Sequence, residues 1–294
     1  MQFTAQSIAD YLKTSLYGKN LIVTKPCSLK NIVSGSLLFV KNYSADVEDR
    51  LNSQNDILVL ACPEYHEKLN CTYIICKNPR LDFARIVQAF FVINTTSYIA
   101  STAKMGGNVS IGKNVSIGEF SIIGDNVTIG NNTVIRNHVV IAENTRIGSD
   151  CLIKSHAVIG EEGFGFEQDE NDEPVRLPHI GGVSIGNNVE IGSFTTVAKG
   201  TLDYTIIGDN VKVDDCCHIA HNVIIEENSL IIACTQIGGS AHIMGNCWLG
   251  QNCTIKNGIT VGRNVLVGSG TVVIKPVDND VIVVGNPGRI LRKK

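Results

Sequence analysis

An aliphatic residue returns every sixth position along about two thirds of this chain. Nine isoleucines stand in unbroken phase from Ile111 through Ile117 and Ile123 to Ile159. The phase resumes at Ile185, Ile191 and Val197, then runs twelve times from Ile207 to Val273, always as Ile, Val or Leu. Six residues are too few for a helical repeat, but they suit one short strand and a tight corner. β-Branched side chains at a fixed phase stack into an apolar column. Glycine often follows the aliphatic residue and asparagine often stands three places after it, as at Asn114, Asn132, Asn210 and Asn264. Both tolerate the left-handed backbone that a corner demands. Three sides make a coil of eighteen residues, giving about eight coils with strands roughly 4.8 Å apart. This is the signature of a hexapeptide parallel β-helix.

Two interruptions break the phase. The first, Gly160 to Ser184, is acidic and carries two prolines, so it reads as an excursion from the solenoid. The second, Ala198 to Thr205, adds four residues to one side. Loops thrown out of a rigid solenoid commonly border its binding face.

The flanks follow other rules. Ser7 to about Leu16 suits a short helix, with Ile8, Tyr11, Leu12 and Leu16 on one face. Leu21 to Val23, Ile57 to Leu60 and Tyr73 to Ile75 read as buried strands. Arg80 to Phe91 suits a second helix after Asn78-Pro79. The pattern therefore divides into a small N-terminal α/β domain over 1–97, ending near Thr96, a β-helix over 98–276, and a C-terminal cap over 277–294.

Composition narrows the partners. Among 294 residues the formal net charge is −3, and nothing in that balance asks for nucleic acid. The start of the chain has no basic segment leading into an apolar run, and no stretch is long and apolar enough to span a membrane. Ten cysteines include no Cys-x-x-Cys pair, so they read as reduced, mostly buried thiols of a cytoplasmic protein.

Candidate chemistry concentrates at Cys216-Cys217-His218-Ile219-Ala220-His221-Asn222-Val223. Ile219 is in the inward phase, which puts His221 near a corner. Gly239 and Asn257 follow at intervals of eighteen, so the three should stack on successive coils. A glycine beside a histidine leaves room and a backbone N–H. Asp214, on the preceding side of the same coil, is a candidate to hold the imidazole in one tautomer. Such a group suits acyl transfer: His221 as general base, Asp214 as its partner, and the Gly239 N–H on the oxyanion of a thioester. Other readings stay open. His221 can be an ordinary turn residue. Cys216, Cys217, His218 and His221 can be read as a metal site, although neighbouring side chains on a strand point to opposite faces.

Further segments carry a resemblance. Gly160-Glu161-Glu162-Gly163-Phe164-Gly165-Phe166, Leu177-Pro178-His179-Ile180-Gly181, Leu202-Asp203 before Thr205-Ile206-Ile207-Gly208, and Ile219-Ala220-His221-Asn222-Val223 together resemble the UDP-3-O-(3-hydroxyacyl)glucosamine N-acyltransferase family of lipid A synthesis. The likeness runs along nearly the whole chain. It implies a left-handed solenoid, a homotrimer with active sites between subunits, and the roles already given to His221, Asp214 and Gly239. It implies that Gly35 to Asn42 holds a uracil, with Phe39 stacking on the base and Asn42 bonding to it. Tyr43 stands near the place of a family tyrosine, where this chain has Ala45. Asn222 and Asn257 join the expected substrate contacts.

By the same resemblance the protein moves an acyl group from a thioester to the amine of a nucleotide-linked amino sugar. The donor is acyl carrier protein or acyl-CoA, with no bound cofactor or metal and possible work near the membrane surface. The chain departs from the family at Ala198-Lys199-Gly200, where Asp-Arg-Gly is usual. It departs again at Lys256-Asn257-Gly258, which lacks a further histidine, and in ending at Lys294 without the usual helical extension. Those departures bring in an alternative, a short acyl group from coenzyme A placed on an amino sugar for a surface polysaccharide.

Overall fold

The computed structural model describes residues 2–92 and 97–294, and the chain divides into two compact units, Met1–Thr95 and Thr96–Lys294. The expected end of the first domain near Thr96 lies outside the described residues.

The second unit is a left-handed parallel β-helix with three faces. Two faces carry nine parallel strands each and the third carries eight. One of the nine-stranded faces gains a last antiparallel strand, Arg289–Lys293. Stacking extends ahead of the unbroken isoleucine run that starts at Ile111, because Lys104–Met105 pairs with Ile122–Ile123 and Ile99 bridges Ile117. Met105 and Ile99 lie in the six-residue phase, but methionine and a lone isoleucine hide it. From Ile117 to Val273 every residue of the phase is buried, in a single continuous core. Each fully buried Ile, Val or Leu contributes about 1.5–3 kcal/mol relative to exposure, so the column carries the stability of the unit.

Corners follow the asparagine prediction. Asn114, Asn126, Asn132, Asn210 and Asn264 all adopt φ between 56° and 60° or close to it, in the left-handed region. Their amides also bond from coil to coil, as Asn114 Nδ2 does to Asn132 Oδ1 at 3.1 Å. Aromatic residues take the same conformation at one corner. Phe120, His138, His156 and Phe194 form an exposed ladder with ring centroids 4.8–5.2 Å apart.

The two interruptions are measured by register. Coil partners are 18 residues apart along most of the solenoid, 38 across the first excursion and 22 across the second. The first excursion contains a hairpin that its polar sequence concealed: Phe166–Gln168 pairs antiparallel with Pro174–Arg176. Asp169 closes the turn by accepting from the N–H groups of Asn171 and Glu173.

The first unit has a five-stranded sheet, four of its strands parallel, with Ser36–Val40 between Lys25–Pro26 and Leu58–Ala61. Residues within the segment expected to hold a uracil therefore supply a central strand, whose Leu37 and Leu38 are buried. The first helix is Ala5–Leu12, capped by Thr4 and stopped by left-handed Lys13, so Leu16 falls on a strand instead. Ile22 is exposed on a two-residue edge strand rather than buried. A helix at Ala45–Asn52 escaped prediction because its face is mostly polar. The last helix is Pro79–Ile86, continued by a π-turn over Val87–Phe91. Among the described residues no helix is long and apolar enough to cross a membrane.

Candidate functional site

His221 follows the strand His218–Ile219, which pairs with Gln236–Ile237 and, beyond it, Thr254–Ile255. His221, Gly239 and Asn257 consequently occupy one corner on three successive coils. Backbone bonds tie them together: Ser240 N–H donates to His221 C=O and Gly258 N–H to Gly239 C=O, both at 2.9 Å. A β-carbon at Gly239 would stand 2.7 Å from both Cε1 and Nε2 of His221. Only glycine admits the imidazole here, and it leaves the backbone as the neighbour of Nε2.

The tautomer of His221 is fixed by Asn222. Asn222 Oδ1 accepts from Thr201 N–H at 3.1 Å and from Thr201 Oγ1 at 2.9 Å, which identifies it as the amide oxygen. It lies 3.0 Å from His221 Nδ1, so Nδ1–H donates and, in the neutral imidazole, Nε2 carries the lone pair. Thr201 belongs to the four-residue insertion, which gives that insertion a purpose at the site. Asn222 was expected to touch substrate. Its oxygen is occupied by orienting the imidazole.

Asp214 does not fill the orienting place expected of it. Its Oδ2 accepts from the Ala233 N–H at 3.2 Å, beside Lys154 and Glu190 on the face formed by Lys212–Val213 and its neighbours. Spacing alone placed the carboxylate on the right coil but not toward the right corner. Asn257 is exposed, one coil beyond Gly239. The four residues of the metal reading diverge. Cys217 points into the core, where burial raises its thiol to about 11, while Cys216 is exposed on the left-handed corner. His218 Nδ1 pairs with Thr196 Oγ1 at 2.7 Å. Desolvation, and then the nearby His221, hold the His218 imidazole below its ordinary value.

The first excursion folds back onto the same corner. Gly163 passes over His221 so closely that a β-carbon there would meet His221 Cβ and Cδ2 at 3.2 Å. His179, also in the excursion, packs edge-on against His221 with centroids 5.0 Å apart. Sequence reasoning found no role for His179. Its partner is more than forty residues away, and only the fold-back of the excursion joins them. Lys199 is 5% exposed and ion-paired with Glu143. Hydrogen bonding to Lys199 holds the Glu143 carboxyl below its usual range.

In the first unit two cavities open beyond the carboxyl ends of the parallel strands, the usual ligand position in such sheets. One, about 300 Å³, is lined by Leu29, Phe39, Lys41, Asn42 and Val47 among others. The other, about 520 Å³, is lined by Asn42, Lys77, Asn78 and Arg80 among others. Phe39 is half-buried against Phe83, 4.9 Å between centroids. Tyr43 lines neither cavity. It turns to Tyr65, with the Lys68 ammonium 4.0 Å from its ring centroid. Lys77 and Arg80 are basic groups the sequence reading did not single out, although Lys77-Asn78-Pro79-Arg80 directly follows a strand.

Parts of the chain are similar to known proteins. A family model described as bacterial transferase hexapeptide (six repeats) matches residues 102–137, 126–161 and 240–275. A curated UDP-3-O-acylglucosamine N-acyltransferase of Coxiella burnetii is 48% identical over 81 residues, 28% of this chain and 24% of that protein. One of Bordetella parapertussis is 45% identical over 94 residues, 31% of this chain and 26% of that protein. Those matches span about a quarter of the relatives' own length. The solved UDP-N-acetylglucosamine O-acyltransferase of Moraxella catarrhalis aligns with a TM-score of 0.57 and 28% identity, over 65% of this chain and 73% of that one. An Acinetobacter baumannii LpxA structure aligns at 0.59 and 29%, over 66% and 73%.

Proposed function

We propose, for a chain that belongs to the hexapeptide-repeat acyltransferase superfamily, that it moves an acyl group from a thioester to the amine of a nucleotide-linked amino sugar. One observation carries this reading. The free Nε2 lone pair of His221, its tautomer fixed by Asn222, lies against the backbone of Gly239. A base and a backbone N–H at one point are what attack on a thioester requires. His221 Nε2 accepts an amine proton as the nitrogen bonds to the thioester carbon. The carbonyl π-pair moves to oxygen, where the Gly239 N–H meets the developing charge. Collapse restores the carbonyl, breaks the C–S bond and returns the proton to the leaving sulfur. The thioester is already activated, so no side-chain nucleophile is needed.

Amine rather than hydroxyl acceptors are supported by the two curated relatives, whose names state N-acylation of UDP-3-O-acylglucosamine. In the first unit Phe39 and Asn42 border the cavity proposed for the base of the nucleotide. Lys77 and Arg80 border the neighbouring one, with charge suited to phosphate. A homotrimer, a cytoplasmic setting, and acyl carrier protein or coenzyme A as the donor belong to the same proposal.

The test is a donor-by-acceptor matrix read by product mass. Donors are 3-hydroxyacyl carrier protein and short acyl-CoAs; acceptors are 3-O-acylated UDP-glucosamine and other nucleotide-linked amino sugars. An N-acylated nucleotide sugar is expected. Turnover with the carrier protein points to lipid A chemistry, and turnover with a short acyl-CoA on another amino sugar to polysaccharide decoration. Product from hydroxyl acceptors alone would contradict the reading.

A further inference from the structure

The imidazole of His179 is 2% exposed, and its Nε2 is buried without a hydrogen-bond partner. Its Nδ1 lies 3.1 Å from the Leu177 carbonyl, which can only accept. Nδ1–H therefore donates there, and in the neutral ring Nε2 is an acceptor facing no donor. A buried acceptor left unmade costs about 1–3 kcal/mol. The fold bears that cost next to His221, the other imidazole of the corner, with ring centroids 5.0 Å apart and planes at 71°. His221 is in the matching state, with Nδ1–H held by Asn222 and Nε2 free. The corner thus holds two imidazoles whose Nδ1 atoms are both engaged, so that in the neutral form each presents an Nε2 lone pair.

The chain above them is glycine-rich. A β-carbon at Gly163 would meet His179 Nε2 at 3.3 Å, and one at Gly165 would meet His179 Cε1 at 2.7 Å. Phe164 between them is 84% exposed, so its side chain points away from the pair. Gly163 and Gly165 are therefore the cover over the two imidazoles.

We propose that His179 Nε2 is the second acceptor for the substrate amine, reached when the Gly163–Gly165 segment lifts, so that His179 and His221 each take one N–H. This rests on the proposed acyl transfer and deepens it to a choice of acceptor. An amine offers at least two N–H donors and satisfies both nitrogens. A hydroxyl offers one and leaves a buried acceptor empty. Sites built to bond a substrate group discriminate against analogues lacking it, because their own polar groups are then left unpaired.

The experiment compares the full-length protein with His179→Phe and His179→Gln. Binding of 3-O-acylated UDP-glucosamine, and of the analogue with hydroxyl in place of the amine, is measured by calorimetry without donor. The unsubstituted protein should prefer the amine by about tenfold or more, the scale of one such bond. His179→Phe should lose that preference, and His179→Gln, which offers an amide oxygen, should restore most of it. Should the Phe variant fail to fold, as judged by circular dichroism, His179→Met takes its place. A preference unchanged in a folded variant lacking the acceptor overturns the proposal. Tight, selective binding with no N-acylated product would instead defeat the proposed transfer and leave the acceptor pair standing. Binding of neither sugar would overturn both.

Discussion

The imidazole of His221 occupies the space that any side chain at Gly239 would need, 2.7 Å from an ideal β-carbon. Gly239→Ala should therefore displace the base while leaving the column of buried residues intact. Turnover is expected to fall by about 100-fold or more, the lower range for lost general-base catalysis. The melting temperature should move by only a few degrees. Steady-state rates beside a melting curve check both halves.

Two substitutions separate the orienting partner from its rival. Asn222→Leu removes the acceptor of His221 Nδ1–H and of the Thr201 donors. It should lower kcat by about tenfold or more, since catalysis depends on a positioned base. Asp214→Asn keeps an oxygen for the Ala233 N–H and should change kcat less than threefold. If Asp214→Asn is the more damaging change, the imidazole is oriented by the carboxylate and not by the amide.

Truncating the column should cost what a buried aliphatic is worth. Ile231 is fully buried near the middle of the solenoid. Ile231→Ala is expected to destabilise by about 2–5 kcal/mol, through lost transfer energy and the cavity left behind. Denaturant unfolding measures this directly.

The Lys199–Glu143 pair predicts a pH dependence. Glu143 has its folded value depressed below 4.5, first by hydrogen bonding to Lys199. Its stabilisation is therefore fully present above about pH 4.5 and is lost as pH falls through the lower, folded value. Melting curves of the unsubstituted protein and Glu143→Gln should differ at neutral pH and converge in the acid range. A gap that widens on acidification would reverse the sign.

How much the sequence disclosed follows from the range of the forces involved. The β-helix was legible because its rule is local: Ile117 and Ile135 obey the same six-residue demand without reference to anything distant. Stacking of His221, Gly239 and Asn257 followed from that rule. The partner of His221 did not. A period says which coil Asp214 occupies but not which way its carboxylate turns, and the partner proved to be the adjacent Asn222, held by an insertion that breaks the period. His179 was hidden for the same reason, because the excursion's fold-back has no repeat to announce it. In the first unit, Ser36–Val40 was read only as part of a uracil-holding segment, although Leu37, Leu38 and Val40 are as apolar as a central strand requires.

The most direct measurement is the turnover of His221→Ala beside the unsubstituted protein, with a thioester donor and a nucleotide-linked amino sugar. The expected result is a loss of at least about 100-fold in kcat with the fold and assembly unchanged, as removal of a general base demands. A folded His221→Ala protein within a few-fold of full activity would contradict the assignment of the base and the mechanism built on it.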